Sequence, residues 1–312
     1  MGGFQLGLHR AAVSMDGQQC TMSTITTRRP VLAAFAHLAS LAVLGTLPAC
    51  SALPGPASAP AEDEALRGAL AGAHRSAANR ARDGARNPYE TLRFFGIRPT
   101  LAVVELAPGG AWYTEILAPY LRPQGLFCTA HLAKDAGSEG RRRARANFDA
   151  RLAQQPELYD RVFSGTLPSG GRFGDIATAL EKDGGADLVL TFRNVHNWLE
   201  DGTLDDTLKA CHALLKRGGV LGVVDHRAAP GTSVEAMMKS GYVTEALMET
   251  RAQAAGFKLA ARSEVNANPL DTKDHVNGVW SLPPTYQGKD VDRDRYTAIG
   301  ESDRYTHRYV KA

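Results

Sequence analysis

Strand-like and helix-like segments alternate along most of this 312-residue chain, and the alternation constrains its fold more than any other feature. Short apolar runs, bounded by glycine, proline or charged residues, indicate buried strands. Between them lie longer stretches with apolar residues at helical spacing. This pattern predicts an α/β fold, with a mostly parallel, doubly wound Rossmann-like sheet of about seven strands and helices on both faces.

The same pattern predicts the individual elements. Strands are expected at residues 101–106, 125–130, 161–165, 186–192, 220–224 and 257–265, with an edge strand at 304–310. Helices are expected at 112–121, 141–155 and 243–255, and another begins at Thr203, which would cap it in a capping box with Asp206, and ends at Gly218. N-terminal helices are predicted over 62–82 and 88–95, the second closed by Gly96.

Composition excludes several classes of protein. The 36 Lys+Arg against 33 Asp+Glu give a net charge of +3, which is too small for a nucleic-acid-binding surface. With 44% hydrophobic and 22% charged residues, the chain is typical of a folded protein and not of a disordered one. The cysteines at 20, 50, 128 and 211 are too few and too dispersed for a disulfide scaffold. No metal site is predicted.

The first 60 residues differ from the remainder. Arg28 and Arg29 precede an apolar run at 31–47 that is too short for a membrane span but suits a signal peptide. The segment resembles a bacterial lipoprotein signal with Cys50 as the acylated residue, and a buried N-terminal helix is the alternative. We therefore expect a leader at 1–49, with a true start at Met22 or Met15, a flexible tether at 50–61 and a folded domain at 62–312.

That leader determines the expected location. The paired arginines also resemble a twin-arginine signal, so export by either the Sec or the twin-arginine pathway is expected. The protein would then lie at the periplasmic face of a bacterial cell envelope, attached to the membrane through its lipid.

One strand-to-helix turn carries the strongest functional signal. The strand at 101–106 contains Glu105 near its end, and Ala107-Pro108-Gly109-Gly110-Ala111 then leads into a helix. Glycine allows a ligand to approach the backbone closely, and free N–H groups at a helix start attract anions. The G-x-G-x-x-G spacing of nicotinamide oxidoreductases is absent, which disfavours that class. A tight turn without a ligand is the other interpretation.

The turn resembles the first motif of class I S-adenosylmethionine-dependent methyltransferases, in which an acid and several glycines hold the methionine part of the cofactor. On this resemblance Glu105 is the acid and Gly109 the central glycine, with Pro108 and Gly110 beside it, while Ala107 and Ala111 replace flanking glycines. The blocks at 86–97, 105–121, 187–198, 219–228 and 271–280 resemble a group of predicted bacterial methyltransferases with signal peptides. The resemblance implies S-adenosyl-L-methionine as the cofactor.

Contacts to the rest of the cofactor follow from the same resemblance. Family members carry an acid after the second strand that binds the ribose, whereas this chain has His131, which offers one hydrogen bond in place of two. Asp135 is a substitute from the following loop, and Asp175 is the expected adenine contact. Arg193 and Asn194, after the fourth strand, complete the expected cofactor-binding set.

Candidate catalytic residues lie just past predicted strand ends. His196 and His226 are candidate general bases because imidazole titrates near neutral pH, and the alternative for each is a histidine that holds a loop. Asn194 and Arg193 would orient a polar or anionic substrate. Trp112 and Trp198 are expected in the core or at the rim of the site. The polar residues of 266–275 predict a solvated loop or a substrate lid.

The leading hypothesis is an exported, lipid-anchored methyltransferase that uses S-adenosylmethionine to methylate an O or N nucleophile of a small molecule. The alternative is a catalytically inactive, Rossmann-like ligand-binding lipoprotein. The incomplete glycine motif, the absent ribose acid and the cytoplasmic origin of the cofactor favour that alternative. The sequence predicts no nucleic-acid partner and leaves the oligomeric state open.

Overall fold

A seven-stranded sheet organises residues 63–312, which are the part of the chain that the computed structural model describes. The strands are β1 (Ala102–Leu106), β2 (Leu126–His131), β3 (Val162–Thr166), β4 (Ala186–Phe192), β5 (Leu215–His226), β6 (Phe257–Ser263) and β7 (Arg304–Lys311). Their order is β3-β2-β1-β4-β5-β7-β6, with β7 antiparallel to both neighbours and the other pairs parallel. The strand order reverses between β1 and β4, where ligands bind in doubly wound sheets.

Helices pack on both faces of this sheet. Consecutive residues of β1 show this, because Val103 belongs to one apolar cluster and Val104 to another. The α-helices are α1 (Glu64–Ala71), α2 (Ala77–Arg80), α3 (Asp83–Arg86), α4 (Pro88–Phe95), α5 (Thr114–Leu121), α6 (Glu139–Ala153), α7 (Pro156–Tyr159), α8 (Asp175–Ala179), α9 (Val195–Glu200), α10 (Leu204–Leu214), α11 (Val234–Ser240), α12 (Glu245–Ala254) and α13 (Arg293–Ile299). The predicted α/β, doubly wound fold is confirmed.

The position of β7 corrects one prediction. This strand does not lie at the edge, because it pairs with β5 on one side and with β6 on the other. Both faces and both sides of β7 are covered, and residues such as Tyr305 and Tyr309 are almost fully buried. The edge strand at this end of the sheet is β6, whose exposed residues alternate with more buried ones.

The single N-terminal helix predicted over 62–82 is also wrong for the residues that the structure describes. The chain leaves helical geometry at Gly72, which has an extended backbone, and resumes at α2 after Ser76, whose side chain caps it. Arg75 lies in the break, where its buried guanidinium donates to Leu70 O at 2.9 Å and pairs with Asp83 at 2.7 Å. Glycine is unfavourable inside a helix, so Gly72 favours a break at this point. The bond from Arg75 to Leu70 O satisfies a carbonyl at the end of α1 that has lost its helical partner.

Helix α10 begins where the sequence predicts, but its first turn is not capped as predicted and it ends earlier. Thr203 occupies the cap position, yet its side chain makes no capping hydrogen bond, so the predicted capping box with Asp206 does not form. The helix ends at Leu214, before the predicted stop at Gly218. Gly218 instead has a φ of +73° within an irregular part of β5, where the pairing with β4 shifts register.

Two expectations for the N-terminal part lie beyond the described residues. The leader at 1–49 with Cys50, and the tether at 50–61, precede residue 63. Within residues 63–312, no helix combines the length and the apolar character needed to cross a membrane.

Candidate active site

A cavity of about 200 Å³ lies at the carboxyl ends of β1 and β4, at the point where the strand order reverses. We call it the glycine-turn cavity. It brings together seven of the predicted cofactor-binding residues, namely Glu105, Ala107, Pro108, Gly109, Gly110, Arg193 and Asn194. It is also lined by residues outside that set, among them Asn79, Arg82, Arg86, Trp112, Tyr113 and Phe192. The volume is below the ~300–1,000 Å³ typical of sites for whole drug-sized ligands, so it suits one end of a larger molecule.

The turn keeps a glycine-like backbone although two of its residues are alanine. Ala107 has a φ of 45° and Ala111 a φ of 68°, and Gly109 between them has a φ of 56°. Alanine in this left-handed region costs about 1–2 kcal/mol, and such strain persists mainly at functional sites. A Cβ atom added to Gly110 would meet no atom within 4 Å. The turn therefore leaves open space over its backbone, where a ligand can lie.

Glu105 contributes a buried carboxyl group to the floor of the cavity. Its Oε2 accepts a hydrogen bond from Thr114 Oγ1 at 2.7 Å. Burial raises the pKa of Glu105 to about 8, and the bond from Thr114 opposes that rise only in part. The group is therefore mostly protonated at neutral pH, and a nearby cation would favour its ionised form.

His131 ends β2, where the resemblance expects a ribose-binding acid. Its Nδ1 accepts from the Leu132 amide at 2.7 Å, while its buried Nε2 makes no hydrogen bond of good geometry with a described residue, although the Gly109 backbone is close enough to raise the pKa of the ring in part. Burial and the Arg145 guanidinium lower the pKa of His131 to about 4, so the ring is neutral. The proton then lies on Nε2, which can donate one hydrogen bond to a ligand.

The two aspartates considered for the nucleoside end do not line the glycine-turn cavity. Asp135 is exposed in the loop after β2. Asp175 begins α8, where its Oδ1 accepts from the Ile176 amide at 2.8 Å and from the Thr166 amide at 3.2 Å. These bonds give Asp175 a structural role between β3 and α8, and its contact with adenine stays a prediction.

The two residues after β4 have different environments. The amide group of Asn194 donates to Leu106 O and Thr191 Oγ1, both at 3.2 Å, and so ties the end of β1 to the end of β4. Arg193 has a φ of 63°, an uncommon conformation for a long side chain, and no described residue accepts a hydrogen bond from its guanidinium. Asn194 thus maintains the shape of the cavity, and Arg193 is available to a ligand.

His196 and His226 meet beside Asp225, with their ring centroids 5.1 Å apart. His196 Nδ1 lies 3.1 Å from Asp225 Oδ1, and the carboxylate also accepts from the amides of His196 and His226. An acceptor at Nδ1 places the His196 proton there and leaves Nε2 as the basic nitrogen. His226 Nδ1 is 2.5 Å from Ser302 Oγ. Neither histidine lines the glycine-turn cavity, and Asp225 was missed because it looked like part of a strand.

These three residues also have donor atoms within 4.8 Å of one another, a set that transition metals use. Two observations oppose a cation there. Both Asp225 oxygens already accept N–H groups. The pKa of His226 is lowered well below its ordinary value by burial and further by nearby positive charges, among them Arg193 and Arg304, and those guanidinium charges would repel a cation. The arrangement is that of two histidines oriented by hydrogen bonds.

A group of arginines next to the cavity was not predicted. We call Arg82, Arg86, Arg193 and Arg304 the guanidinium cluster. Glu301 lies among them and pairs with Arg82 Nε at 2.8 Å, Arg86 Nε at 3.0 Å and Arg304 Nη1 at 3.1 Å. Arg82 and Arg86 lie 219 and 215 positions before Glu301, so local patterns cannot reveal the cluster. Their positive charges hold the pKa of Glu301 near 2 although burial opposes this.

Aromatic side chains form the remaining wall of the cavity. Tyr113 and Phe192 stack with ring centroids 3.5 Å apart and an angle of 11° between the planes. Trp112 donates through Nε1 to Asn79 O at 3.0 Å, and the Arg86 guanidinium lies 4.7 Å from its ring centre. Trp112 lines the cavity and also packs in an apolar cluster, and Trp198 packs in the apolar cluster on the other face of the sheet.

The polar segment at 266–275 is more buried than a solvated loop. Asn266, Asp271 and His275 are all buried. The Asp271 carboxylate accepts from Tyr242 Oη at 2.9 Å, from His275 Nε2 at 2.9 Å and from the Asp303 amide at 2.8 Å. These bonds join the segment to the start of β7, so its inner residues act as a structural connection.

Comparisons with known proteins concern parts of the chain or its overall fold. No protein-family model matches the chain. A curated bifunctional protein named FolD 1, from Saccharopolyspora erythraea, is 30% identical over 142 residues, which are 45% of this chain. The match spans only 44% of that relative's length.

Solved structures that resemble the chain include methyltransferases. One is a SAM-dependent methyltransferase from Aquifex aeolicus (12% identity, 74% of this chain and 93% of that chain, TM-score 0.47). Another is a putative sarcosine dimethylglycine methyltransferase from Galdieria sulphuraria (12% identity, 75% and 85%, TM-score 0.49). A third is a glycopeptide N-methyltransferase complexed with sinefungin (13% identity, 74% and 87%, TM-score 0.45). The similarity to these structures is one of fold, at sequence identities of 12–13%.

Proposed function

We propose that this chain is an S-adenosylmethionine-dependent methyltransferase that acts on an O or N nucleophile of a small molecule. The observation that supports it most is the glycine-turn cavity, in which a buried acid, an open backbone turn and unpaired arginine nitrogens meet at the switch point of the sheet. A plain strand-to-helix turn needs none of these features.

The residues present fit the charges of the cofactor. Its amino-acid end carries an ammonium group and a carboxylate, and Glu105 on the cavity floor is a buried acid that a cation would ionise. The Nη2 atoms of Arg82 and Arg86 are buried without hydrogen-bond partners and suit a carboxylate. The open space over Gly110 accommodates the ligand, and the unpaired His131 Nε2 suits a ribose hydroxyl.

The protein's own part in the reaction is alignment and proton transfer. When bound, the cofactor supplies an electrophilic methyl group on a sulfonium sulfur. Methylation of a hydroxyl or amine releases one proton, and His196 Nε2 accepts it while Asp225 stabilises the resulting imidazolium. The neutral ring of His226 and the amide group of Asn194 then serve to shape and orient the acceptor side.

Calorimetry with S-adenosylhomocysteine tests the proposal directly. The full chain should bind this product. Gly110→Leu should abolish binding, because its side chain would fill the open space over the turn. Gly140→Leu is the matched control, since a Cβ at this α6 glycine also meets nothing within 4 Å and lies away from the cavity. Absence of heat with the wild-type chain would refute the proposal.

The inactive lipoprotein remains the competing function, and His131 in place of an acid favours it. A thermal-stability screen against nucleotides and small metabolites separates the two. Stabilisation by S-adenosylhomocysteine supports the methyltransferase. Stabilisation only by an unrelated ligand supports the binding protein.

The location that we propose is the periplasmic face of a bacterial envelope, with a lipid on Cys50 as the anchor. Arg28 and Arg29 before the apolar run, and Cys50 after it, support this. Labelled palmitate should enter the full chain and not Cys50→Ser, and label in both would contradict the anchor. Export that survives Arg28→Lys with Arg29→Lys would indicate the Sec pathway.

A further inference from the structure

The guanidinium cluster contains more positive charge than its surroundings balance. Arg86 and Arg304 are nearly fully buried, and Arg82 and Arg193 are half-buried. Glu301 is the carboxylate that pairs with three of them. Burying unpaired charge is costly, and the pKa of Arg86 is lowered to about 9 mainly by burial and then by the Arg193 charge. A second anion would relieve this cost.

Arg193 is the member of the cluster best placed to receive that anion. No hydrogen-bond acceptor for its guanidinium is found among residues 63–312, although it lines the glycine-turn cavity. The same side chain is close enough to His226 to lower that histidine's pKa. Arg193 therefore lines the cavity, and its charge also acts on the neighbouring histidine pair.

The proposed cofactor does not neutralise the cluster. Its amino-acid end has one carboxylate, which Arg82 and Arg86 can hold through their unpaired Nη2 atoms. Its ammonium group is balanced by Glu105, which that cation would ionise, and its sulfonium group adds one positive charge to the same site. The site would still be cationic with the cofactor in place, and a neutral methyl acceptor would leave that charge unpaired.

Resting on the proposed function, we propose that the methyl acceptor is a small carboxylic acid whose carboxylate pairs with Arg193. A planar guanidinium matches a carboxylate with two parallel hydrogen bonds, which fixes orientation as well as position. The stacked Tyr113 and Phe192 beside Arg193 line the same cavity and suit an apolar or aromatic body. On this proposal the carboxylate of the acceptor pairs with Arg193 inside the cavity, and its nucleophile extends beyond the cavity lining toward His196.

The test uses the full chain saturated with S-adenosylhomocysteine and measures binding of benzoate, benzamide and inorganic phosphate by calorimetry. Benzoate should bind, and benzamide, which has the same shape without the charge, should not. Arg193→Gln should weaken benzoate binding by about tenfold or more, as expected for loss of a charged hydrogen-bonding partner. Arg217→Gln, which removes an exposed charge outside the cavity, should leave it unchanged.

Each other result overturns the inference. Equal binding of benzamide and benzoate would show that the charge is not recognised. Unchanged benzoate binding in Arg193→Gln would assign the anion to another residue, and phosphate binding tighter than benzoate would replace the carboxylate class. Absence of benzoate binding by protein that still binds S-adenosylhomocysteine would refute the carboxylic acceptor and leave the methyltransferase proposal standing.

Discussion

Thr114 Oγ1, at the start of α5, donates a 2.7 Å hydrogen bond to Glu105 Oε2 in β1, and the Glu105 carboxyl group forms the acidic floor of the glycine-turn cavity. The acid is mostly protonated near neutral pH because burial raises its pKa to about 8. A bound cation would draw the proton away, so binding of a cationic group and proton release are coupled at Glu105.

The raised pKa of Glu105 predicts how stability changes with pH. The folded state binds the proton more tightly than the unfolded chain, so the contribution is fully present below pH 4.5 and is lost as pH rises through about 8. Each pKa unit corresponds to ~1.4 kcal/mol, so the free energy of unfolding should fall by a few kcal/mol across this window. Denaturant titrations at several pH values measure the slope.

Glu105→Gln should remove most of that slope, because an amide stays neutral throughout. The variant should be more stable than the wild type above pH 8, where the wild-type acid is ionised in the ligand-free protein. Glu157→Gln, at an exposed position of α7, should keep the wild-type slope. An unchanged slope in Glu105→Gln would show that the acid is not protonated in the folded state.

The left-handed alanine at position 107 predicts a stabilising substitution. Ala107→Gly removes strain of about 1–2 kcal/mol and adds about 0.5–1 kcal/mol of chain entropy cost, so a net gain of up to about 1.5 kcal/mol is expected. Ala146→Gly, at an exposed position in the middle of helix α6, should instead destabilise by about 1 kcal/mol. Thermal melts of the two variants should therefore shift in opposite directions, and a loss of stability in Ala107→Gly would contradict the strain.

The contact between His196 and Asp225 predicts a defined imidazole tautomer. In the wild type the carboxylate accepts from Nδ1, so Nε2 should be unprotonated in the neutral ring. Asp225→Asn can present an amide N–H to Nδ1 and so move the proton to Nε2. Long-range ¹H–¹⁵N correlation spectra distinguish the two forms. An Nε2-protonated ring in the wild type would exclude His196 as the base in this geometry.

A matched variant checks that the effect is local to this pair. Ser302→Ala removes the partner of His226 Nδ1, 2.5 Å away, and should leave the His196 tautomer unchanged. A change at His196 in Ser302→Ala would mean that the two rings behave as one hydrogen-bonded unit.

The positions of individual strands and helices can be predicted from the sequence, because local patterns of apolar residues determine them. The strand at 186–192 matches β4 because an apolar run between a glycine pair and a polar stretch has few other solutions. The order of strands is a property of tertiary pairing, so the interior position of β7 was not evident from its alternation. The break at Gly72 depends on the buried Arg75, whose partner Asp83 lies beyond the break.

The candidate site also has one part that the sequence predicts and another part that depends on the tertiary fold. The glycine turn is visible in the sequence because its residues are adjacent. Ala107 and Ala111 adopt the left-handed backbone conformation that glycine favours, so the turn forms although these two positions are alanine. The guanidinium cluster depends on Glu301 meeting Arg82 and Arg86 from the opposite end of the chain. Such a contact becomes predictable only once the fold brings the N-terminal helices to the start of β7.

The buried carboxylate of Asp271 predicts that the 266–275 segment is held by charge and not by apolar packing. It accepts from Tyr242 Oη, His275 Nε2 and the Asp303 amide, at distances of 2.8–2.9 Å. Asp271→Asn would turn an amide N–H toward these donors, and hydrogen bonds to charged groups are each worth about 1.5–3 kcal/mol. We therefore expect a loss of several kcal/mol in urea titrations, whereas the exposed Asp274→Asn should melt like the wild type. Equal stability of the two variants would show that these three hydrogen bonds do not hold the segment.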